Sequence, residues 1–258
     1  MKKLVALTLS ILLLLPIAAC GNGQSTGSGN KTITLGTTGQ SYPNSYKDGD
    51  NLVGFDVEVA ETIAKRLNYK VKWVTVDFAG LIGQLDGSKI DSIANAVAVT
   101  PERAEKYAFS TPYSYYATQV ATNKANTQIK SLKDLEGKTV AGVLGSNNVK
   151  SLQAYDSKIK IKTYETRDGA ISDAVKNQVA GFVNTRPILK ATIEKNKLPL
   201  KIIDGAAAED KVAFPFLKNA KGKKLQKAFD KELKKMQEDG TLKKISEKYF
   251  DEDITVEK

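Results

Sequence analysis

The sequence predicts an α/β fold divided into two lobes, and three observations carry that expectation. From residue 31 onward, short strand-like runs alternate with helical runs, the pattern of parallel sheets with βαβ crossovers. The alternation comes as two successive series, joined by extended segments rather than by a Gly/Ser-rich linker. The 258 residues, 41% of them hydrophobic, suffice for one large domain or two smaller ones with real cores.

In the first series "TITLGTT" reads as a strand. "FDVEVAETIAKRLN" is an amphipathic helix, with Asp56, Glu58 and Glu61 early and Lys65 and Arg66 late, as the helix dipole prefers. "YKVKWVTV" alternates as a strand, "FAGLIGQLDGSK" is a helix and "IDSIANAV" a buried strand. The extended, aromatic "FSTPYSYYATQVATNK" then leads to the second series. There "SLKDLEG" is a short helix, "KTVAGVLG" a strand, "SNNVKSLQAYD" a helix and "KIKIKTYE" a strand. "DGAISDAVKN", "QVAGFVN", "PILKATIEKN" and "LPLKIID" continue as helix, strand, helix and strand. Another extended piece, "KVAFPFLKN", precedes two closing helices, "KGKKLQKAFDKELKKMQEDG" and "TLKKISEKYF". Open α/β sheets bind ligands beyond the carboxyl ends of their strands, so two facing lobes make a cleft. The pattern alone leaves open which lobe owns the closing helices.

The N-terminus reads differently. "MKKLVALTLSILLLLPIAAC" has two lysines, an apolar stretch and small residues before Cys20, the layout of a secretory signal peptide over residues 1–19. Its "IAAC" ending resembles a bacterial lipobox, which makes Cys20, the single cysteine, a lipidation site. A secreted chain otherwise avoids an unpaired thiol. Residues 20–30 then form a flexible tether, and the expected location is extracytoplasmic, with the lipid holding the folded body to the cell membrane.

The net charge of +10 is spread along the chain. In the closing helices lysines alternate with acids, as on a solvated face, and no zinc-finger spacing or RNP-like strand is present, so nucleic acid is not an expected partner. Histidine is absent, which removes Ser-His-Asp and Cys-His catalysis and the commonest transition-metal ligand. No cofactor or metal is expected.

One residue sits oddly. Thr100-Pro101 is a strong helix start, with a hydroxyl N-cap and then a proline whose missing N–H is harmless. Arg103 therefore falls in the first turn, where a cation opposes the dipole. A solvated arginine is one reading; an arriving anion is the other.

The order "IAAC", "GFDVEVAETIAKRL", "DFAGLIGQLDGSKID", "TPERAEKYAFSTPY", "SLKDLEGKTVAGVLGS" and "GTLKKISEKYF" resembles the extracytoplasmic solute-binding proteins, family 3, which serve polar amino acid ABC importers. The likeness spans residues 31 to 250. "GTTGQSYPNSY" with "FVNTR" looks most like the cystine-type branch. The resemblance implies two α/β lobes joined by two crossing strands, with residues 31–117 and 215–258 in one lobe and 118–214 in the other. It implies a monomer that closes on one small zwitterionic solute and docks on ABC permease subunits.

It also implies a site. Arg103, in the family's Thr-x-x-Arg motif, forks onto the ligand α-carboxylate, a task its planar donors suit. Ser146, beginning a helix after Gly145, makes a second carboxylate contact, with Asn147 and Asn148 beside it. Phe78 packs on the ligand side chain, and Ala96 is a further ligand-binding position. Three departures follow. Ala98 stands where Ser or Thr often donates a hydroxyl, leaving its backbone N–H. Ala180 and Thr185, with Asn184 adjacent, replace the acids of a D-A-x-x-x-D strand, so the ligand ammonium lacks its partner; Asp77 or Glu165 is the substitute considered. Ser41 and Asn44 stand where aromatics are common, with Tyr42 or Tyr46 compensating. The rival readings are a cyclohexadienyl dehydratase-like enzyme on the same scaffold and a surface adhesin or sensor domain.

Overall fold

A computed structural model describes residues 31–257. The expected signal peptide, Cys20 and the tether lie outside the described residues.

The first sheet forms around β1 (Lys31–Thr37). A meander follows, made of β2 (Gln40–Ser41), β3 (Ser45–Asp48) and β4 (Asn51–Val53), and then helix α1 (Phe55–Arg66). Strand β5 (Tyr69–Thr75), helix α2 (Phe78–Asp86) and strand β6 (Ser92–Ile93) complete the crossovers. β1 lies between β5 and β6, parallel to both, in register from Lys31↔Tyr69 to Thr37↔Thr75 and at Leu35↔Ser92. The buried strand expected over "IDSIANAV" is shorter than its apolar run. The chain leaves the sheet after Ile93, and Ala96 adopts a left-handed φ of 50°. Helix α3 (Pro101–Lys106) and strand β7 (Tyr107–Phe109) lead out.

The second sheet opens with β8 (Ser114–Asn123), followed by a 3-10 turn at 132–135, β9 (Thr139–Val143), α4 (Asn147–Tyr155) and β10 (Lys160–Tyr164). Then come α5 (Arg167–Val175), β11 (Gly181–Thr185), α6 (Arg186–Asn196), β12 (Leu200–Ile202) and β13 (Ala208–Val212). Its order is β10-β9-β11-β8-β12, with β13 added to β8. β9, β10 and β11 are parallel, as the βαβ pattern predicts, but β8 runs antiparallel to β11, β12 and β13. The sheet is therefore mixed rather than purely parallel. β8 enters from the other lobe, and its direction is set by that crossing rather than by a helical return.

β13 carries the chain back, paired with β8 from Ala208↔Thr118 to Val212↔Ser114, so the two crossings lie side by side. Strand β14 (Pro215–Leu217) then pairs with β7, and helices α7 (Ala220–Glu238) and α8 (Thr241–Phe250) close the chain. α7 buries Leu225, Phe229, Leu233 and Met236, spaced three to four residues apart, and leaves its lysines in solvent. These side chains share one core with Ile33, Leu35, Phe55 and Ile63 of the first lobe. Within that core Tyr113 stacks on Phe214 at 4.4 Å, and Phe214 and Phe216 meet Phe229 edge-on.

Candidate functional site

A cleft of about 780 Å³ opens between the lobes, at the carboxyl ends of strands from both sheets. Thr38 and Asn95 mark the ends of β1 and β6, and Val143 and Thr185 those of β9 and β11.

Arg103 enters the cleft from α3. The Thr100 hydroxyl caps that helix, accepting from the Arg103 N–H at 3.2 Å, with Pro101 in the first turn. The guanidinium donates to the Ala98 carbonyl at 3.0 Å and, across the cleft, to the Gly145 carbonyl at 3.3 Å. Burial lowers its pKa, and the negative charges of Glu102 and Asp210 oppose that shift. The capped helix end fixes the backbone from which a cation reaches into a partly dry space.

Opposite stands the start of α4. The Ser146 hydroxyl is its N-cap, accepting from the Asn148 N–H at 3.2 Å. Asn147 donates to Asp210 at 2.9 Å, while Asn148 accepts from Thr118 and donates to Asn184. Asn184 in turn accepts from the Thr185 N–H at 2.8 Å, and the buried Thr185 hydroxyl has no partner among the described residues. On the first lobe Ser41 shares a hydrogen bond with Thr38 at 2.8 Å, Ala96 donates its N–H to Asp56 at 2.7 Å, and Ala98 bridges to Val212. Phe78, the first residue of α2, lines the cleft and also packs on the apolar cluster of Leu81, Leu85 and Tyr107.

The structure thus brings Arg103, Ala98, Ser146, Phe78, Asn147, Thr185, Asn184, Ala96 and Ser41 to one cleft, together with Asp77 and Glu165. Tyr42 is the exception and is not among the lining residues. Its ring meets Tyr46 edge-on at 4.9 Å, and the Lys195 ammonium lies 3.7 Å from its centroid. The loop holding it is pinned to the start of α1: Phe55 and Asp56 donate their N–H groups to the carbonyls of Pro43 and Asn44. Gly54 permits this, since a Cβ there would lie 2.4 Å from the Asn44 carbonyl oxygen and its φ is 134°.

Two charged cleft residues escaped the sequence reading. Asp210, on β13, accepts from Thr118 at 2.9 Å as well as from Asn147. Burial pushes its carboxyl above the usual range, while those bonds and the Arg103 charge pull it back. Arg103 and Asp210 feel each other's charge but form no ion pair among the described residues. Arg167, the first residue of α5, lines the cleft and donates to the Tyr42 carbonyl at 2.5 Å. The signal for Asp210 was available. "AEDKV" alternates, with Glu209 and Lys211 exposed and Asp210 in phase with buried Val212. Nothing local marks Arg167.

A cation and a carboxylate held apart in an interlobe cleft form a receptacle for a small zwitterion. Residues 33–252 match the bacterial extracellular solute-binding proteins, family 3. The chain belongs to that family. This family-3 protein is 49% identical, over all of its own length and 98% of the other's, to the probable amino-acid-binding protein YxeM of Bacillus subtilis (strain 168). It is 33% identical to the L-cystine-binding protein TcyA of the same organism, over 99% of this chain and 100% of that one. Among solved structures it resembles the ancestral amino acid-binding protein AncCDT-1, a precursor of cyclohexadienyl dehydratase, with a TM-score of 0.78 and 30% identity over 85% of this chain and 95% of that one. The two-lobed fold is that of amino-acid-binding proteins, and the two relatives are named as a probable amino-acid-binding protein and an L-cystine-binding protein. No described helix of this family-3 protein is long and apolar enough to cross a membrane.

Proposed function

We propose that this chain is the capture subunit of an amino acid ABC importer, working as a lipid-anchored monomer outside the cell. Arg103 holds the ligand α-carboxylate, assisted by the α4 start at Ser146. Asp210 holds the α-ammonium in place of the acid missing at Thr185. One observation carries this reading: opposite charges from the two parts of the chain, Arg103 on α3 and Asp210 on β13, face one cleft without quenching each other. A zwitterion between them engages residues from both lobes, and such contacts favour the closed arrangement. Three bonds already bridge the cleft rim and would add to it: Arg103 to Gly145, Arg167 to Tyr42, and Lys150 to Glu102 at 2.7 Å. The lobes divide at the paired crossings β8 and β13, with 31–117 and 215–258 on one side and 118–214 on the other. Cys20 carries the anchor. On this reading the carboxylates bind rather than catalyse, and the names of the relatives as binding proteins support it.

Calorimetric titration of the purified protein with the polar α-amino acids and L-cystine tests this reading. One-to-one binding of at least one of them is expected. Asp210→Asn keeps the side chain's shape and removes its charge. The charge-assisted bond lost is worth about 1.5–3 kcal/mol, so affinity falls roughly 10- to 100-fold. Silence across the panel, or an unchanged affinity in the variant, defeats the assignment.

A further inference from the structure

The cleft holds a second guanidinium that the zwitterion does not use. Arg167 reaches it from the N-terminal turn of α5, beside Glu165 and Thr166. Among the described residues its single hydrogen bond joins Nη1 to the Tyr42 carbonyl, and its buried Nε has no partner. No carboxylate pairs with it among the described residues. Asp168 and Asp56 are near enough to influence its charge, but Asp168 is exposed and forms no ion pair with it among the described residues, and the Asp56 oxygens are taken by the Tyr113 hydroxyl, the Asn44 amide and the Ala96 N–H, at 2.8, 3.0 and 2.7 Å. Burial lowers the Arg167 pKa to about 10, so the guanidinium stays charged in a desolvated position. A buried charge is costly unless an anion and hydrogen bonds compensate it. The helix start adds to the demand. Thr166 caps α5 without a side-chain bond, and free N–H groups with the dipole's positive end favour an anion there.

The remaining charges at the cleft are Asp77 and Glu165, both exposed at its mouth, and Asp210, which bonds to Thr118 and Asn147. None answers Arg167. Arg103 and Arg167 come from different lobes, so one ligand carrying two carboxylates joins them. We infer that the ligand is an amino acid with a second carboxylate at the far end of its side chain, received by Arg167 and the α5 start. The inference rests on the proposed zwitterion site at Arg103 and Asp210. A carboxylate suits the forked donors of arginine. Cystine falls in this class, since its distal half brings another carboxylate, and so do glutamate and its longer homologue 2-aminoadipate. A distal ammonium, where present, meets Asp77 or Glu165 at the mouth.

The test pairs each diacid with a counterpart lacking the distal charge: L-glutamate with L-glutamine, L-2-aminoadipate with its side-chain amide, and L-cystine with S-methyl-L-cysteine. Calorimetry on the purified protein gives an affinity ratio for each pair. At least one diacid is expected to bind tenfold or more tightly than its counterpart. In Arg167→Gln that ratio falls below about threefold, and Arg167→Lys recovers part of it. Equal affinities within every pair overturn the inference, as does a preference that survives Arg167→Gln. So does a loss in Arg167→Gln that is the same for both members, which would make Arg167 only a tie between the lobes. If monocarboxylate amino acids alone bind, the zwitterion site stands and this inference falls. If no amino acid binds, both fall.

Discussion

Arg103→Ala is expected to lower amino acid affinity by about two to four orders of magnitude while leaving the melting temperature nearly unchanged. The size follows from geometry. Arginine meets a carboxylate with two parallel N–H···O bonds, each charge-assisted and worth about 1.5–3 kcal/mol. Alanine removes both and leaves the ligand's anion against an uncharged wall. The stability cost is small because the protein's own claims on the guanidinium are modest: one carbonyl 3.0 Å away and another, across the cleft, at 3.3 Å. α3 keeps its cap, since Thr100 accepts from the backbone N–H of residue 103 rather than from its side chain. Arg103→Lys restores the charge but not the fork, so it recovers only part of the affinity. Calorimetric titration alongside a thermal melt separates the two quantities. Wild-type affinity in Arg103→Ala would remove the residue from the site, and a collapse in melting temperature would recast it as structural.

Arg103 stands out in the sequence because, as a first-turn cation, it breaks a local rule. In the structure α3 is only six residues long and Arg103 belongs to its last turn as well, so the Thr-x-x-Arg likeness, rather than the dipole, singles it out. The Ser146 cap and the amphipathic α1 and α7 were legible for the opposite reason, since they obey local rules that nothing overrides. Features set by pairing between distant segments were not. The meander at 40–53 has no apolar stripe to announce it; two-to-four-residue strands hold it through backbone bonds and the clamp at Gly54. The direction of β8 depends on the crossing between lobes, which no window of sequence contains. Asp210 belongs to the site because β13 lies against β8, which brings it to Thr118, while the start of α4 supplies Asn147. On the proposed reading Asp210 takes the place of the acid absent at Thr185, at a position where motif matching does not look. Tyr42 shows the converse. Its neighbourhood in sequence suited the cleft, but the clamp on the 41–45 loop and the pull of Lys195 take the ring elsewhere.

Asp56 is expected to make stability fall as pH rises from about 4 to 7, against the direction usual for carboxylates. Its side chain is fully buried beneath the cleft wall. Burial raises its pKa from 3.8 to about 6, outweighing the bonds from Tyr113, Asn44 and Ala96 and the nearby Arg167 charge. A carboxyl whose pKa is higher folded than unfolded binds its proton more tightly in the folded state. Its contribution is then complete below the unfolded value, near 4, and is lost as pH passes the folded value, near 6. The shift of about two units corresponds to roughly 3 kcal/mol. Glu102, Asp134, Asp173 and Asp239 have lowered pKa values and push stability the other way. Comparison with Asp56→Asn isolates the one group, because the other carboxylates are common to both proteins and cancel. At pH 4.5 the wild-type side chain is largely neutral, and the variant is less stable by about 1–3 kcal/mol, since its NH2 can only donate where three donors converge, whereas a protonated carboxyl keeps acceptor capacity on both oxygens. At pH 7 the wild type bears the cost of a buried charge and the variant does not, so the deficit shrinks by about 2–3 kcal/mol and can reverse sign. Urea denaturation at the two pH values measures the difference. A deficit that stays constant or grows with pH would show that the three hydrogen bonds outweigh burial and that the carboxylate is ionised throughout. In that case Asp56, with Tyr113, Asn44 and Ala96, would be a fixed negative strut under the cleft, and its charge would help balance Arg167 at every pH.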